Sequence, residues 1–379
     1  MKKILIITFE YPPTVGGIAT YIHDLANALD TSKIIVLAPK HENSKVWDEQ
    51  QKYKVIRKNM LFPKIIWPRW IRLCWQTWRL VRKEKIELIM IHHALPVGYI
   101  GVLQKKFYKI PFLLFSHGTD LVAGAASAWK RKMLAKVSER AAQIIFNSES
   151  LKSRFLRVFP QFEDKSLVVY PCPEIDFLEQ PPDESIHKLR SQYALEGKIT
   201  LLSVGRLSDG KGFPHLARLL PEILKQVPHL VWLIVGDGPK KSYLIEQIQK
   251  RDLQNVVRFI GEVPHDKLKI YYYLADVFAV LTHPDEGREE GLGLVFLEAA
   301  AAGLPIVAGR SGGVEESVLH TQTGIVVDIY KGDKAVVEAL VEMLTNKEYA
   351  KRLGKQAKER IQSDFQWPHQ VKKLQPWID

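Results

Sequence analysis

Cysteine is nearly absent: Cys74 and Cys172 are the only two in 379 residues. Two cysteines offer neither a disulfide framework nor a thiolate metal cluster, and a reducing cytoplasm suits such a chain. No run of about 18 apolar residues occurs, so no segment is expected to span a bilayer as a helix. There is no low-complexity tract and no internal repeat. The opening MKKILIITFEYPP has two lysines and a short apolar run, but Glu10 and Pro12 follow at once. It therefore reads as a first buried strand rather than a secretory leader. Negative charge is scarce in one half only. Residues 1–170 hold 28 Lys and Arg against 13 Asp and Glu, whereas residues 171–379 hold 26 against 29. Within 51–85 there are 11 basic residues and Glu84 alone opposes them. A basic excess confined to one half points to an anionic surface as its partner.

At 379 residues the chain exceeds what one core usually supports, so two domains are expected. In the first half, residues 3–9, 33–38, 88–92, 112–116, 143–147 and 167–170 read as strands. Residues 18–29, 69–83, 96–108, 128–141 and 150–158 read as helices between them. The stretch PCPEIDFLEQPPDES breaks the pattern with four prolines and reads as a linker. Alternation then restarts, with strands at 200–204, 231–235, 257–260, 277–281, 305–308 and 324–327. Helices fall at about 213–226, 240–251, 266–274, 291–302, 313–319 and 333–343. Alternating strands and helices predict an α/β chain of two Rossmann-like domains, with ligands at the carboxyl ends of parallel strands in a cleft between the halves.

The most informative stretch is EGLGLVFLE, from Glu290 to Glu298, with AAAAGLPIVAGRSGGVEE behind it. Eight residues of helix rotate by only about 80°, so both carboxylates are expected to face one cleft. Gly291 and Gly293 leave backbone N–H groups bare where the helix begins, suited to an anion. Carboxylates that accept from sugar hydroxyls, beside a helix start that faces phosphate, suit a sugar nucleotide. LSVGRLSDGKG places Arg206 and Lys211 five apart on a glycine-bearing loop after a strand, as fixed cations for a departing diphosphate. Gly16 and Gly17 lie between the first strand and first helix, where main-chain amides can approach a phosphate or sugar. They do not form the spaced G-x-G-x-x-G fingerprint, so no nicotinamide or flavin is inferred. His117, in LLFSHGTDL, follows an apolar strand, and His92 and His93 end another.

These residues resemble the Glu-x7-Glu signature of retaining glycosyltransferases of the GT-B fold, family four, and the likeness extends over essentially the whole chain. It implies a donor site of Gly16, Gly17, Arg206, Lys211, Gly236 in VGDGP, Val263 in IGEVP, Gly291, Leu292, Gly293, Leu294 and Glu298. Glu298 resembles the ribose-binding glutamate, and Glu290 the one that holds a hydroxyl of the donor sugar. Glu289 stands next to it in the long acidic THPDEGREEG as an alternative. His117 resembles the active-site histidine facing the donor sugar, and Asp120 either reaches the same cleft or caps a helix. With Glu290, Arg206 and Lys211 it makes up the implied catalytic set. Gly312 and Gly313 are candidates for further anion-facing amides. The family pattern places an acceptor-binding domain at 1–175, completed by a crossover helix at about 362–379 with Phe365 and Trp367 packing, and a nucleotide-sugar domain at 190–361.

One segment stands apart from that site. In KIIWPRWIRLCWQTWRLVRK, residues 64–83, a helical wheel puts Trp67, Trp70, Ile71, Cys74, Trp75, Trp78 and Val81 on one side. Arg69, Arg72, Arg79 and Lys83 take the other. Tryptophan beside arginine suits the headgroup layer of an anionic membrane. A core-packing helix with a solvated basic face is the alternative. Nucleic acid is not expected, because no nucleic-acid fold signature accompanies the segment.

The expectation is a retaining hexosyltransferase that needs no metal, at the cytoplasmic membrane face. It would transfer from GDP-mannose, with a UDP-sugar second, to a lipid or lipid-linked glycan. An epimerase or hydrolase of the same fold, and a non-catalytic sugar-nucleotide-binding subunit, are the alternatives.

Overall fold

The computed structural model describes residues 1–118 and 127–379. Two compact units divide the chain: Met1–Pro171 with Trp367–Asp379, and Cys172–Gln366. Each is built on a parallel sheet. In the first, β1 (Ile4–Ile7), β2 (Ile34–Pro39), β3 (Lys54–Lys58), β4 (Leu88–Ile91), β5 (Phe112–Ser116), β6 (Gln143–Phe146) and β7 (Ser166–Val168) lie in the order β3-β2-β1-β4-β5-β6-β7. In the second, β8 (Ile199–Val204), β9 (Leu230–Val235), β10 (Val257–Gly261), β11 (Val277–Val280), β12 (Ile306–Gly309) and β13 (Ile325–Val327) lie in the order β10-β9-β8-β11-β12-β13. The α/β class of two Rossmann-like units expected from the alternation is what the structure has.

The continuous apolar runs have a simple cause. A parallel sheet is covered on both faces, so successive residues enter opposite cores. In β1, Leu5 and Ile7 join one cluster while Ile4 and Ile6 join the other. In the second unit, Trp232 is wholly buried and its indole N–H donates to Ser203 Oγ at 2.9 Å. That bond removes the cost of burying a polar N–H.

Three elements depart from expectation. β3 is not among the strands expected from the sequence: only Val55 and Ile56 are apolar between flanking lysines, as suits an edge strand. The stretch read as linker ends in a helix, Asp183–Gln192, none of whose residues is buried. The segment at about 362–379 is not one helix. A helix runs Lys347–Asp364, and short helices follow at Trp367–Lys372 and Gln375–Ile378. Pro368 has no N–H to give the carbonyl of Asp364, so the long helix stops there. Phe365 is buried in the second unit. Trp367 packs on Tyr21 of the first, with ring centroids 5.5 Å apart. Lys2 N–H donates to Ile378 O at 2.6 Å, and Tyr170 N–H to Gln370 Oε1 at 3.0 Å. These bonds tie the last short helices to the first sheet.

Candidate active site

In the second unit, the loops after β8, β9, β10 and β11 are laced together by main-chain bonds at the carboxyl edge of the sheet. Gly205 N–H donates to Val235 O (3.0 Å), Leu207 N–H to Asp237 O (2.9 Å), Gly236 N–H to Gly261 O (2.7 Å) and His283 N–H to Gly210 O (2.9 Å). This brings the Arg206–Lys211 loop beside VGDGP, and VGDGP beside IGEVP. Gly212 has φ +73°, and a Cβ there would stand 2.0 Å from Leu281 O. Only glycine lets this loop lie so close to β11. Arg206 is exposed and makes no ion pair among the described residues. Lys211 Nζ is paired with Glu290 Oε2.

Glu290 is not on a helix. The helix runs Leu294–Ala301, with Gly293 at its N-cap in the left-handed region (φ +85°). The expectation that helical rotation turns Glu290 and Glu298 to one cleft is therefore corrected: only Glu298 is carried by that helix. Beyond the Lys211 pair, Glu290 is fixed by its main chain. Glu290 N–H donates to Ser311 Oγ at 3.1 Å, and its carbonyl accepts from Gly313 N–H at 3.1 Å. Gly313 thus gives its amide to the protein, and the reading of that amide as anion-facing is also corrected. Leu292 is buried, and its carbonyl accepts from Ser317 Oγ at 3.0 Å. Part of the acidic stretch folds on itself: Arg288 pairs with Asp285 (3.5 Å) and Glu286 (3.2 Å).

Glu298 is 2% exposed. Its Oε1 faces His265 Nε2 at 2.9 Å and its Oε2 accepts from Tyr272 O–H at 2.6 Å, while His265 Nδ1 faces Glu174 Oε1 at 3.2 Å. Burial alone would lower the imidazole's pKa. Hydrogen bonds to Glu174 and Glu298 outweigh it and push the value up to about 11. His265 is therefore a fixed cation between two carboxylates. A carboxylate has about four acceptor positions, and His265 and Tyr272 face two of those of Glu298. Sequence reasoning missed His265, Tyr272 and Glu174, because nothing in a lone histidine or a Tyr-Tyr-Tyr run marks contact with a residue 33 or 26 positions away. Val263 lines a cavity of about 560 Å³ with Tyr193 and Tyr271.

In the first unit, His117 follows β5 and His92 follows β4. Their rings are parallel, with centroids 5.0 Å apart, and His92 Nδ1 lies 2.7 Å from His117 Nε2. Burial, with repulsion from His93, lowers the pKa of His117 to about 3. Burial, with repulsion from His117 and His93, also lowers that of His92 well below its ordinary value. Both rings are neutral, so one proton bridges the two facing nitrogens. His92 Nε2 has no partner among the described residues. An orphaned buried N–H is rarer than an unpaired acceptor. The favoured tautomers therefore put that proton on His92 Nδ1 and leave His117 with its own N–H at Nδ1. Gly17 opens the helix Gly17–Ala28 with Gly16 at its N-cap, and a Cβ on either would meet nothing within 4 Å. Protein packing thus does not require glycine at either position. Asp120 lies outside the described residues.

The helix of the tryptophan segment is Ile71–Glu84, so Trp67 and Arg69 precede it. It buries Leu73, Gln76, Thr77 and Val81. Val81 lies on the side the wheel gave to the tryptophans, at its buried edge next to half-buried Trp70, Cys74 and Trp78, while Ile71 and Trp75 on the same side are exposed. Trp75 is 56% exposed, Trp67 81% and Ile65 92%. Arg79 sits over the Trp75 ring at 5.7 Å and Arg82 over Trp78 at 5.1 Å. No helix among the described residues is long and apolar enough to cross a membrane.

Two parallel Rossmann-like units, the second with a lysine–glutamate pair at its strand ends, define a GT-B glycosyltransferase. The family described as "Glycosyltransferase Family 4" matches residues 15–176 and "Glycosyl transferases group 1" matches 185–360, and the chain belongs to the family-four glycosyltransferases. It is 29% identical to the GDP-mannose-dependent alpha-(1-6)-phosphatidylinositol monomannoside mannosyltransferase of Mycobacterium tuberculosis, over 100% of this chain and 98% of that one. It is 27% identical to a glycogen synthase of the same organism, over 96% of this chain and 91% of that one. Anabaena HepE, solved in complex with UDP and glucose, shares the fold with a TM-score of 0.82 at 20% identity, with 99% of each chain covered.

Proposed function

We propose that this glycosyltransferase is retaining and metal-independent, and moves mannose from GDP-mannose to a hydroxyl of a membrane lipid or lipid-linked glycan. The observation that carries this reading is the strand-end arrangement in the second unit: exposed Arg206, and Lys211 held by Glu290. A diphosphate leaving group gains negative charge as its bond to C1 breaks, and two preset cations meet that charge where a metal otherwise would. Glu290 then accepts from a sugar hydroxyl, Glu298 from the ribose, and His117 offers its Nδ1–H to the sugar. Gly16 and Gly17, Gly236, Val263 and the main chain of Gly291–Leu294 complete the donor site. The acceptor oxygen bonds to C1 on the face that the diphosphate leaves, and its proton passes to the departing phosphate oxygen. The choice of GDP-mannose and a lipid rests on the full-length likeness to the mycobacterial mannosyltransferase.

Exposed Ile65, Trp67 and Trp75 beside the arginines support docking of the first unit on an anionic membrane at its cytoplasmic face. Thermal-shift screening with GDP-mannose, UDP-glucose and ADP-glucose should single out GDP-mannose. Product analysis with and without a lipid acceptor should show transfer with the anomeric configuration kept. Transfer should survive EDTA. Sugar release without acceptor would indicate a hydrolase, a changed sugar nucleotide an epimerase, and donor binding without turnover a non-catalytic subunit. Reversible loss of transfer in EDTA would overturn metal independence.

A further inference from the structure

A second cavity, of about 480 Å³, lies in the first unit at the carboxyl ends of β1, β2 and β3. Ligands of parallel α/β sheets gather at such strand ends. Phe9 follows β1, Lys40 follows β2, Lys58 closes β3 with Asn59 next to it, and Arg69 and Arg72 come from the segment beyond. Four cations from separate positions thus line one space, and no carboxylate is among its lining residues. None of the four lies within ion-pair distance of a carboxylate among the described residues. Asp48, on the neighbouring helix Ser44–Glu49, is already taken by Arg57 at 2.7 Å.

The wall is held in place without neutralising its charge. Phe62 N–H donates to Arg69 O at 3.0 Å, and Arg69 Nε donates back to Phe62 O at 2.8 Å. The second bond uses Arg69 Nε and leaves its two terminal nitrogens for another acceptor. Arg72 lies over the Phe62 ring at 5.6 Å. Apolar Met60, Leu61 and Pro63 supply the remaining surface. Beyond Pro63 the same loop runs directly into exposed Ile65, Ile66 and Trp67. One loop therefore carries both an apolar tip and the wall of a cationic cavity.

We propose that this cavity binds the phosphate ester of the acceptor lipid's headgroup, with Lys40, Lys58, Arg69 and Arg72 around the phosphate. The assignment rests on the lipid-acceptor reading above. Clustered lysine and arginine fit phosphate oxygens by charge and by forked hydrogen bonds. The loop's continuity with the apolar tip favours a lipid over a free anion as the source. Phosphate bound here would orient the headgroup by a group remote from the reacting hydroxyl, which is how binding energy is turned into positioning.

The test uses the full chain and soluble probes, followed by titration calorimetry. Glycerophosphoinositol carries the phosphodiester, myo-inositol lacks it, and inorganic phosphate lacks the organic part. Glycerophosphoinositol should bind at least about tenfold more tightly than either control. Lys40→Gln with Lys58→Gln should weaken it at least about tenfold, the loss of one charge-assisted contact being the lower bound for removing two. Both lysines are exposed, so the variant is expected to fold, and its thermal shift with GDP-mannose should match the parent's. Unchanged binding in the variant would overturn the proposal, as would inorganic phosphate or myo-inositol binding equally well. Binding only to phosphatidylglycerol–phosphatidylcholine vesicles, with none to the soluble probe, would also overturn it and make the cations part of a flat membrane surface. Donor uptake without glycerophosphoinositol binding sinks the cavity assignment alone. Glycerophosphoinositol binding in a protein blind to every sugar nucleotide sinks the functional reading and leaves the cavity standing.

Discussion

At the strand ends of the second unit, the prominent side chains come as opposite charges already in contact: Lys211 with Glu290, and His265 between Glu174 and Glu298. At the strand ends of the first unit, His92 and His117 face each other uncharged, and Lys40 and Lys58 pair with no carboxylate among the described residues. The two arrangements suit different work. A preset pair stays satisfied while empty, and exchanges one partner for a ligand's charge at small net desolvation. A neutral histidine pair gives direction to a hydrogen bond without adding charge. Unpaired surface cations stay hydrated and act mainly through attraction that salt screens. By this contrast, the proposed diphosphate site draws on charges already paired in the second unit, and the proposed lipid contacts draw on unpaired cations of the first.

The largest test of that contrast is on the second unit. Lys211→Ala should lower turnover by about 10²-fold or more, the scale seen when a charge partner of the transition state is removed. Near-normal turnover in a folded variant would remove the lysine from the mechanism. Glu298→Gln should act mainly on donor affinity, raising the donor KM about tenfold with a smaller change in kcat. A change in kcat alone would contradict the ribose role.

On the first unit, effects should be smaller and sensitive to salt. Trp75→Ala with Arg79→Gln and Lys83→Gln should weaken sedimentation with phosphatidylglycerol vesicles severalfold at physiological salt, which screens part of the roughly 1 kcal/mol a basic residue contributes at an anionic surface. Donor binding should be untouched. Parent-like sedimentation, or loss that persists unchanged at high salt, would break the surface reading.

The smallest expected effect is a flat line. His92 and His117 ring signals should not titrate between pH 5 and 9, because burial keeps both neutral. His265 should stay protonated over the same range. The signs for stability are opposite. The raised value of His265 contributes stability fully below its ordinary value near 6.5, and that contribution is lost as pH rises toward about 11. The depressed value of His117 contributes fully above 6.5, and that is lost as pH falls toward about 3. A histidine signal from either site with a midpoint near 6.5 would contradict the geometry.

The strands with two buried faces were legible as unbroken apolar runs, because both cores demand the same residue type. β3 was not, since an edge strand buries little and its lysines imitate a loop. The Lys211 and Glu290 motifs were legible because glycines flank both and loops at strand ends recur in this architecture. Their pairing was not, since 79 residues separate them and no local pattern encodes that contact. The wheel grouped Val81 with the tryptophans correctly by angle, but it could not say which edge of that side is buried. Amphipathic period tells which residues share a side, but here Gln76 and Thr77 are buried while Trp75 stays exposed.

The return of Trp367–Asp379 to the first unit has a consequence for how the protein is made. Synthesis lays down seven strands of the first sheet early, yet Leu374 and Ile378 belong to the cluster covering Ile4, Ile6 and Val36. The ribosome must therefore translate all of Cys172–Gln366 before that apolar layer can close. During those seconds the second unit can reach its own core from contiguous chain, while the earlier one waits with an uncovered flank that chaperones can recognise. The half that begins first is the half that finishes last.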